Sequence, residues 1–199
     1  MLQFPTTPIF SKVEPYLVHK NKSTETASGR DQGYSDGPSK LKIETAFNKG
    51  ANPDELRNVN AFVNRMRGTL TPFLLEVPHI SDGVGVASAT PLVSQTTQVG
   101  FLIKLKGLPV STLIRKANDL IQHESSGHVY MLATDLVSDV NGFADAVICT
   151  PLLAPITAND NIKINSILIK VKLSKNEHKY SYESLDIRSI ASLTFIQAL

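Results

Sequence analysis

Alternating apolar and polar positions recur along the chain and predict many short β-strands. The clearest alternation covers residues 40–47, where Leu41, Ile43 and Phe47 share one face and polar residues occupy the other. A period of two is typical of a strand that is buried on one side. We therefore predict a half-buried strand over residues 40–47.

Further strand patterns lie at intervals along the chain, at residues 16–18, 70–77, 98–106, 120–122, 129–132, 144–149, 162–173, 179–182 and 193–196. In the pattern over 98–106, the residues expected to point inward are Val99, Phe101, Ile103 and Leu105. Pro72 cannot donate to a strand ladder, which limits its strand to a sheet edge or a strand start. Turn-forming residues predict loops at 24–38 and 78–89, and the spacing over 109–119 predicts a short helix.

One segment has the full pattern of an amphipathic helix, over residues 53–67. Asn52 is a suitable N-cap, Pro53 suits the first helical position, and Gly68 suits the C-terminal end. The apolar stripe at helical spacing consists of Leu56, Val59, Phe62, Val63 and Met66. Such a stripe indicates packing against a sheet.

Many short strands with only one strong helix predict a mainly β fold. We expect a β-sandwich with a packed helix and a second domain that resembles a β-barrel. The turn-rich segment 78–89 suggests the division between them. The first domain is predicted to comprise residues 1–78 with 162–199, and the second to comprise residues 79–161.

Composition describes an ordinary folded chain of 199 residues, with 42% hydrophobic and 19% charged residues. The net charge of +2 comes without a basic stripe, so no nucleic-acid partner is expected. The sequence has neither a long apolar segment nor a signal-peptide pattern, which predicts a protein made in the cytoplasm without a membrane partner. The sole cysteine, Cys149, lies in an apolar run and is expected to be a buried structural thiol.

The segment 123–128 contains two histidines that suggest a zinc site. His123 and His128 are five residues apart, which places them on different faces of a helix, unlike the four-residue spacing of zinc helices. Ser125, Ser126 and Gly127 favour a turn. We therefore predict a hairpin loop with exposed histidines.

Four other groups of residues could carry chemistry and are interpreted structurally. Asp139, Asn141 and Asp145 lack the calcium-loop spacing, and Asn141-Gly142 predicts a hairpin turn between residues 129–132 and 144–149. The remaining groups are Gly83-Val84-Gly85 without a following helix, a chance triad of Ser126, His128 and Asp135, and the carboxylates Glu183 and Asp186. The sequence thus predicts no enzyme, with no catalytic, cofactor-binding or metal-binding residues.

The order of several segments resembles the minor tail proteins of tailed bacteriophages, especially the distal-tail-like proteins of the tail tip. The resemblance covers residues 24–185 and rests on short segments at 26–32, 41–47, 73–78, 135–144 and 147–153, together with the capped helix. The chain has Leu41 where the family usually has an aromatic residue, and Asn118 where the family usually has a turn glycine. A turn at Asn118 would end the predicted helix at 109–119 early.

This resemblance implies a structural protein of the virion tail. Its first domain would form a ring, as a homo-oligomer such as a hexamer, and its partners would be the tail tube protein and the hub or tip protein. The ring would connect the tail tube to the hub or fibre-bearing tip. The family supplies no catalytic residues and no cofactor.

A second hypothesis is a carbohydrate- or ligand-binding β module of a tail or surface assembly. It rests on the aromatic side chains of Tyr34, Tyr180 and Tyr182, which could stack on sugars if they are exposed. Ordinary strand tyrosines explain the same pattern.

Overall fold

The computed structural model describes residues 1–25, 28–29, 31–35, 37–48, 51–77, 85, 89–183, 186–190 and 192–198. At residues 32, 180, 182–183 and 186–189, only the backbone is described. The chain forms two compact units. Unit 1 comprises Met1–Leu75 and Lys170–Leu199, and unit 2 comprises Glu76–Ile169.

Unit 1 is built on a five-stranded sheet with strand order β1-β4-β17-β14-β5. Up to residue 76, its elements are β1 (Phe10–Val18), β2 (Asn21–Glu25), β3 (Asp31–Ser35), β4 (Lys40–Phe47), α1 (Pro53–Arg65) and β5 (Phe73–Glu76). The C-terminal elements are β14 (Leu168–Leu173), β15 (Tyr180–Glu183), β16 (Asp186–Ile190) and β17 (Leu193–Gln197). β2 pairs with β3, and β15 pairs with β16, as separate two-stranded ribbons.

Helix α1 forms where the sequence predicts it. The Asn52 side chain accepts a hydrogen bond from the backbone N–H of Asp54 at 3.0 Å, which caps the first turn. The stripe residues Leu56, Val59 and Val63 are buried. Phe62 of α1 meets Phe73 of β5 edge-on at 5.2 Å between ring centroids, so the helix packs on the sheet.

Six phenylalanines form the aromatic part of the unit 1 core, namely Phe4, Phe10, Phe47, Phe62, Phe73 and Phe195. Phe4 stacks against Phe10 at 5.7 Å and against Phe73 at 6.0 Å. The backbone N–H of Phe4 donates to Leu74 O at 2.8 Å, which adds the N-terminal segment alongside β5. The sequence analysis did not identify Phe4 as a core residue.

Unit 2 consists of three small antiparallel sheets around one apolar core. Its strands are β6 (Leu92–Val93), β7 (Leu102–Lys106), β8 (Leu113–Arg115), β9 (Leu120–His123), β10 (Val129–Met131), β11 (Leu136–Val137), β12 (Ala144–Val147) and β13 (Ile162–Lys163). The sheets have strand orders β12-β7-β6, β10-β9-β13 and β11-β8. Ile103, Ile114 and Ile121 place one fully buried side chain from each sheet in this core.

The mainly β fold class is confirmed. Strands account for 43% of the structure, and α1 supplies the 8% that is helical. The predicted strand at residues 40–47 is β4, with Leu41 and Ile43 buried. Pro72 directly precedes β5, so its missing N–H leaves the ladder of that strand intact.

The pattern over residues 162–173 forms two strands rather than one. Ser166 has a positive φ of 47°, and this turn separates β13 from β14. β13 pairs with β9 inside unit 2. The units of the structure therefore change at 75/76 and 169/170, whereas the sequence-based division lies at 78/79 and 161/162.

The predicted helix at 109–119 is wrong. Ser111 and Asn118 both have positive φ, at 49° and 72°, and between them β8 pairs with β11. A turn therefore lies at Asn118, as in the alternative drawn from the family pattern. Left-handed backbone at both ends excludes a continuous helix.

Three smaller predictions also need correction. The predicted loop at 24–38 contains β3, paired with β2. Val99 and Phe101 are exposed because a turn at Gly100, with φ of 87°, precedes β7 and ends the alternation. The predicted loop at 78–89 falls almost entirely outside the described residues.

Candidate functional site

The segment 123–128 is a hairpin turn between β9 and β10, as predicted. Its first histidine, however, is not exposed, because the His123 side chain has only 8% of its surface accessible. β13 pairs with β9 on the side opposite β10, so that His123 lies in the central strand of a three-stranded sheet. The prediction of exposed histidines is therefore wrong, because His123 is nearly buried and His128 is half-buried.

His123 connects two loops through its ring nitrogens. Nδ1 lies 2.8 Å from Ser126 Oγ, and Nε2 lies 3.1 Å from Asp160 Oδ2. Ser125 Oγ also lies 3.1 Å from Nε2. The backbone N–H of Gly127 donates to His123 O at 2.8 Å and closes the turn. We name Ser126, His123 and Asp160 the His123 clamp.

Asp160 accepts hydrogen bonds from Thr157 in addition to its contact with His123. Its Oδ2 accepts from the backbone N–H and the hydroxyl of Thr157, both at 2.9 Å. These two hydrogen bonds, followed by that from His123, lower the pKa of Asp160 below its usual value, although partial burial opposes the shift. The carboxylate is thus fixed in its ionised form at neutral pH.

The His123 clamp contains the three residue types of a serine hydrolase triad. The serine and the aspartate, however, contact the opposite ring nitrogens of the histidine. In such triads the serine contacts Nε2 and the aspartate contacts Nδ1. Here Ser126 Oγ also accepts from the backbone N–H of His128 at 3.3 Å, within the same turn. These contacts make the clamp a connection between the hairpin and the loop at 157–160, which holds the turn in one conformation.

The triad considered from the sequence does not assemble. Ser126 contacts the ring of His123 instead of the ring of His128. Asp135 Oδ1 accepts from the backbone N–H of Ala117 at 2.8 Å and so fixes the turn before β9. Asp160 was missed because it lies 37 positions from His123, and sequence spacing does not reveal a contact of that range.

Asp139 has a structural role in its own loop. Its Oδ1 accepts from the backbone N–H groups of Asn141 and Phe143 at 2.8 and 2.9 Å. Gly142 has φ of 77°, so a turn is present, but β11 pairs with β8 and β12 pairs with β7. The segments 129–132 and 144–149 nevertheless pair as predicted, through an antiparallel bridge between Leu132 and Ile148 and a hydrogen bond from the N–H of Cys149 to Met131 O at 2.9 Å, but the connection between them also contains β11. Across the described ranges, no three His, Cys, Asp or Glu side chains form a potential metal site.

The other sequence candidates are dispersed. Cys149 is partly buried, and this burial raises the pKa of its thiol. Tyr34 lies exposed on β3, whereas the side chains of Tyr180, Tyr182, Glu183 and Asp186 and the segment 83–84 fall outside the described part of the chain. Within the described residues, no helix has the length and apolar character needed to cross a bilayer.

Arg115 is a buried cation that the sequence analysis did not identify. Its side chain is fully buried on β8, and Nε and Nη2 donate to Ile164 O at 3.0 and 2.6 Å. Nη2 also donates to Asn165 Oδ1. These bonds hold the turn between β13 and β14 against β8.

The ribbon of β2 and β3 in unit 1 is exposed. All five side chains of β2 are exposed. The five paired positions run from Asn21 opposite Ser35 to Glu25 opposite Asp31. An isolated two-stranded ribbon is only marginally stable in water. Packing against a neighbouring molecule would therefore stabilise it.

Comparison with known proteins found no match, either to a protein-family model or to a curated protein sequence.

Proposed function

We propose that this chain is a structural protein of the bacteriophage tail tip. Copies of it form a ring that joins the tail tube to the hub or fibre-bearing tip. The observation that carries the proposal is the division into a sheet-and-helix unit and a second β unit formed by residues 76–169. This is the arrangement that the resemblance to distal-tail-like proteins implies.

The exposed ribbon supports assembly as the role of unit 1. The two strands pair with each other only, and all five side chains of β2 are exposed, so a neighbouring subunit would add packing to the ribbon. A ring requires contacts between unlike surfaces of adjacent copies. The ribbon of β2 and β3 would be one of the two surfaces through which adjacent copies contact each other.

The role of the polar groups in unit 2 also supports a non-catalytic function. The His123 clamp and Asp139 both connect neighbouring loops through backbone or side-chain hydrogen bonds. Arg115 does the same for the turn at residues 164–165. We therefore assign these groups to the stability of unit 2, and we assign no catalytic, cofactor-binding or metal-binding residues.

Native mass spectrometry and electron microscopy of the purified protein test the proposal. We expect a closed ring of identical subunits, with six as the expected number. A matched variant in which residues 21–35 are replaced by a short glycine-serine linker should form fewer rings. A wild-type protein that remains monomeric at all concentrations, including in the presence of the tail tube protein, would contradict the proposal.

A further inference from the structure

The outer face of the unit 1 sheet carries four lysines in a compact group, Lys40, Lys42, Lys170 and Lys172, which we name the lysine face. Lys42 of β4 and Lys172 of β14 both lie opposite Ile196 of β17. The alternate residues Leu41, Ile43, Val171 and Leu173 are buried. All four lysines therefore point away from the core.

The lysine face concentrates four positive charges on one side of the sheet. Among the described residues, no hydrogen bond or ion pair engages any of the four ammonium groups. Strand geometry spaces the lysines about 7 Å apart along a strand and about 10 Å apart across β17. Charges at these distances repel one another unless a counter-charge or salt screens them.

The lysine face has the half-buried Ile196 at its centre and a depression beside it. Ile196 lies between Lys42 and Lys172, and Ala198 donates its N–H to Lys170 O at 2.9 Å. Lys40, Lys170 and Lys172 line a depression of about 270 Å³ together with Leu70 and Pro72. A partner that fits this surface has apolar side chains flanked by carboxylates.

Unit 2 presents a surface in which exposed apolar side chains are flanked by carboxylates. We name it the acidic ridge, and its members are Asp135, Val137, Asp139, Val140, Phe143 and Asp145. Leu136 and Ser138 are buried between its exposed residues. Val140 is 75% exposed, Val137 53% and Phe143 47%, so three exposed apolar side chains lie within seven consecutive residues. Lys104, opposite Asp145 on β7, is a neighbouring basic residue.

The acidic ridge is rigid. The N–H of Asp139 donates to Phe143 O at 2.7 Å, and the N–H of Ser111 donates to Asp139 O at 2.9 Å. Leu108 donates to Gly142 O at 3.1 Å, and a Cβ at Gly142 would lie only 2.5 Å from Leu108 O. A loop fixed in this way loses little conformational entropy when it binds.

The charges of the two units have opposite sign. Unit 1 contains fifteen lysines and arginines and ten aspartates and glutamates, whereas unit 2 contains five and eight. Opposite charge on two surfaces steers their association and selects their orientation. We infer that the lysine face of one copy docks on the acidic ridge of a second copy. This inference rests on the proposed ring, for which it supplies a head-to-tail contact.

The alternative occupant of a lysine face is the phosphate backbone of a nucleic acid. Surfaces that bind single strands combine basic residues with aromatic stacking platforms. Tyr16, opposite Lys42, is the aromatic neighbour on this face, and its hydroxyl donates to Glu44 at 2.7 Å. The half-buried Ile196 at the centre of the lysine face favours a protein partner.

Charge-reversal variants of the full-length protein test the contact by sedimentation velocity. The lysine variant carries Lys42→Glu and Lys172→Glu. The ridge variant carries Val140→Lys and Asp145→Lys, which leaves the hydrogen bonds of Asp139 in place. A control with Arg57→Glu and Arg65→Glu makes the same change in net charge at exposed positions of α1, which packs on the buried face of the sheet. Circular dichroism and thermal unfolding verify that each variant folds.

We expect each surface variant to weaken self-association about tenfold or more, and the control to match the wild type. An equimolar mixture of the two surface variants should recover association, because the reversed charges are again complementary. Rings that persist unchanged in both variants would overturn the inference and leave the proposed function intact. A wild-type protein that never associates would contradict both. Loss of binding to a mixed-sequence DNA oligonucleotide in the lysine variant, with self-association unchanged, would assign the face to nucleic acid and overturn the inference.

Discussion

His123 Nε2 lies 3.1 Å from Asp160 Oδ2, and this contact joins the β9–β10 hairpin to the loop before β13. The ring is nearly buried and also contacts Ser126 at 2.8 Å. His123→Ala should lower the free energy of unfolding by about 1–3 kcal/mol, because it removes both contacts and leaves a cavity. Chemical denaturation measures the change. His128→Ala, on the same hairpin, is the control, and equal losses in both variants would contradict the clamp.

Because the pKa of Asp160 is lowered in the folded state, the free energy of unfolding should decrease at acid pH. Its folded-state pKa lies below the unfolded value of about 3.9, so its contribution is fully present above the unfolded pKa and is lost as pH falls through the folded pKa. Asp160→Asn should therefore lose less stability than the wild type between pH 5 and acid pH of about 2–3. Glu124, whose pKa is lowered by the hydrogen bonds from Lys163 and Asn161, keeps these partners in the variant and contributes equally to both profiles.

Thr157→Val is the matched variant for this measurement, because it removes one donor to Asp160 and retains the carboxylate. Its loss of stability in acid should be intermediate between those of the wild type and Asp160→Asn. Identical pH profiles in all three proteins would show that the hydrogen bonds to Asp160 do not hold its pKa down.

The buried hydrogen bonds of Arg115 imply that even a substitution that keeps the positive charge lowers the stability of the fold. Lysine cannot reproduce the fork of donors to Ile164 O and Asn165 Oδ1. Arg115→Lys should lower the free energy of unfolding by about 2 kcal/mol, since it leaves a buried carbonyl without its donors. Thermal unfolding measures the loss, with the exposed Lys116→Arg as the control. A wild-type melting temperature in Arg115→Lys would contradict this role.

The position of Phe4 makes the N-terminal segment part of the unit 1 core. It is 4% exposed and contacts Phe10, Phe62, Phe73 and Phe195. Phe4→Ala should cost about 3–5 kcal/mol of unfolding free energy. Leu2→Ala, at a half-exposed neighbour, should cost much less. If denaturant titration gives similar losses for the two variants, the placement of Phe4 is wrong.

Local patterns predicted the elements whose burial repeats regularly. β4 and α1 each have one continuous apolar face, and a cap or turn residue lies at each end of the helix. The predictions failed where a left-handed residue interrupts a pattern, as at Asn118 and Ser166, because single-residue backbone conformations leave little trace in hydrophobic periodicity.

The candidate site was harder to predict than the fold. His123 and Ser126 lie in a recognisable turn, but their partner Asp160 comes from a distant loop. The lysine face is similar, since Lys42 and Lys172 become neighbours only when β17 pairs with both β4 and β14. Long-range strand pairing creates both groups, and no local pattern contains that information.

Immunogold electron microscopy of virions tests the central claim most directly. The proposed function is tested on purified tailed-phage particles, labelled with an antibody to this chain or through an epitope tag at its C-terminus. We predict label at the distal end of the tail, between the tube and the tip, on nearly every intact particle. Virions that lack the protein, or that carry it only on the capsid, would contradict the account.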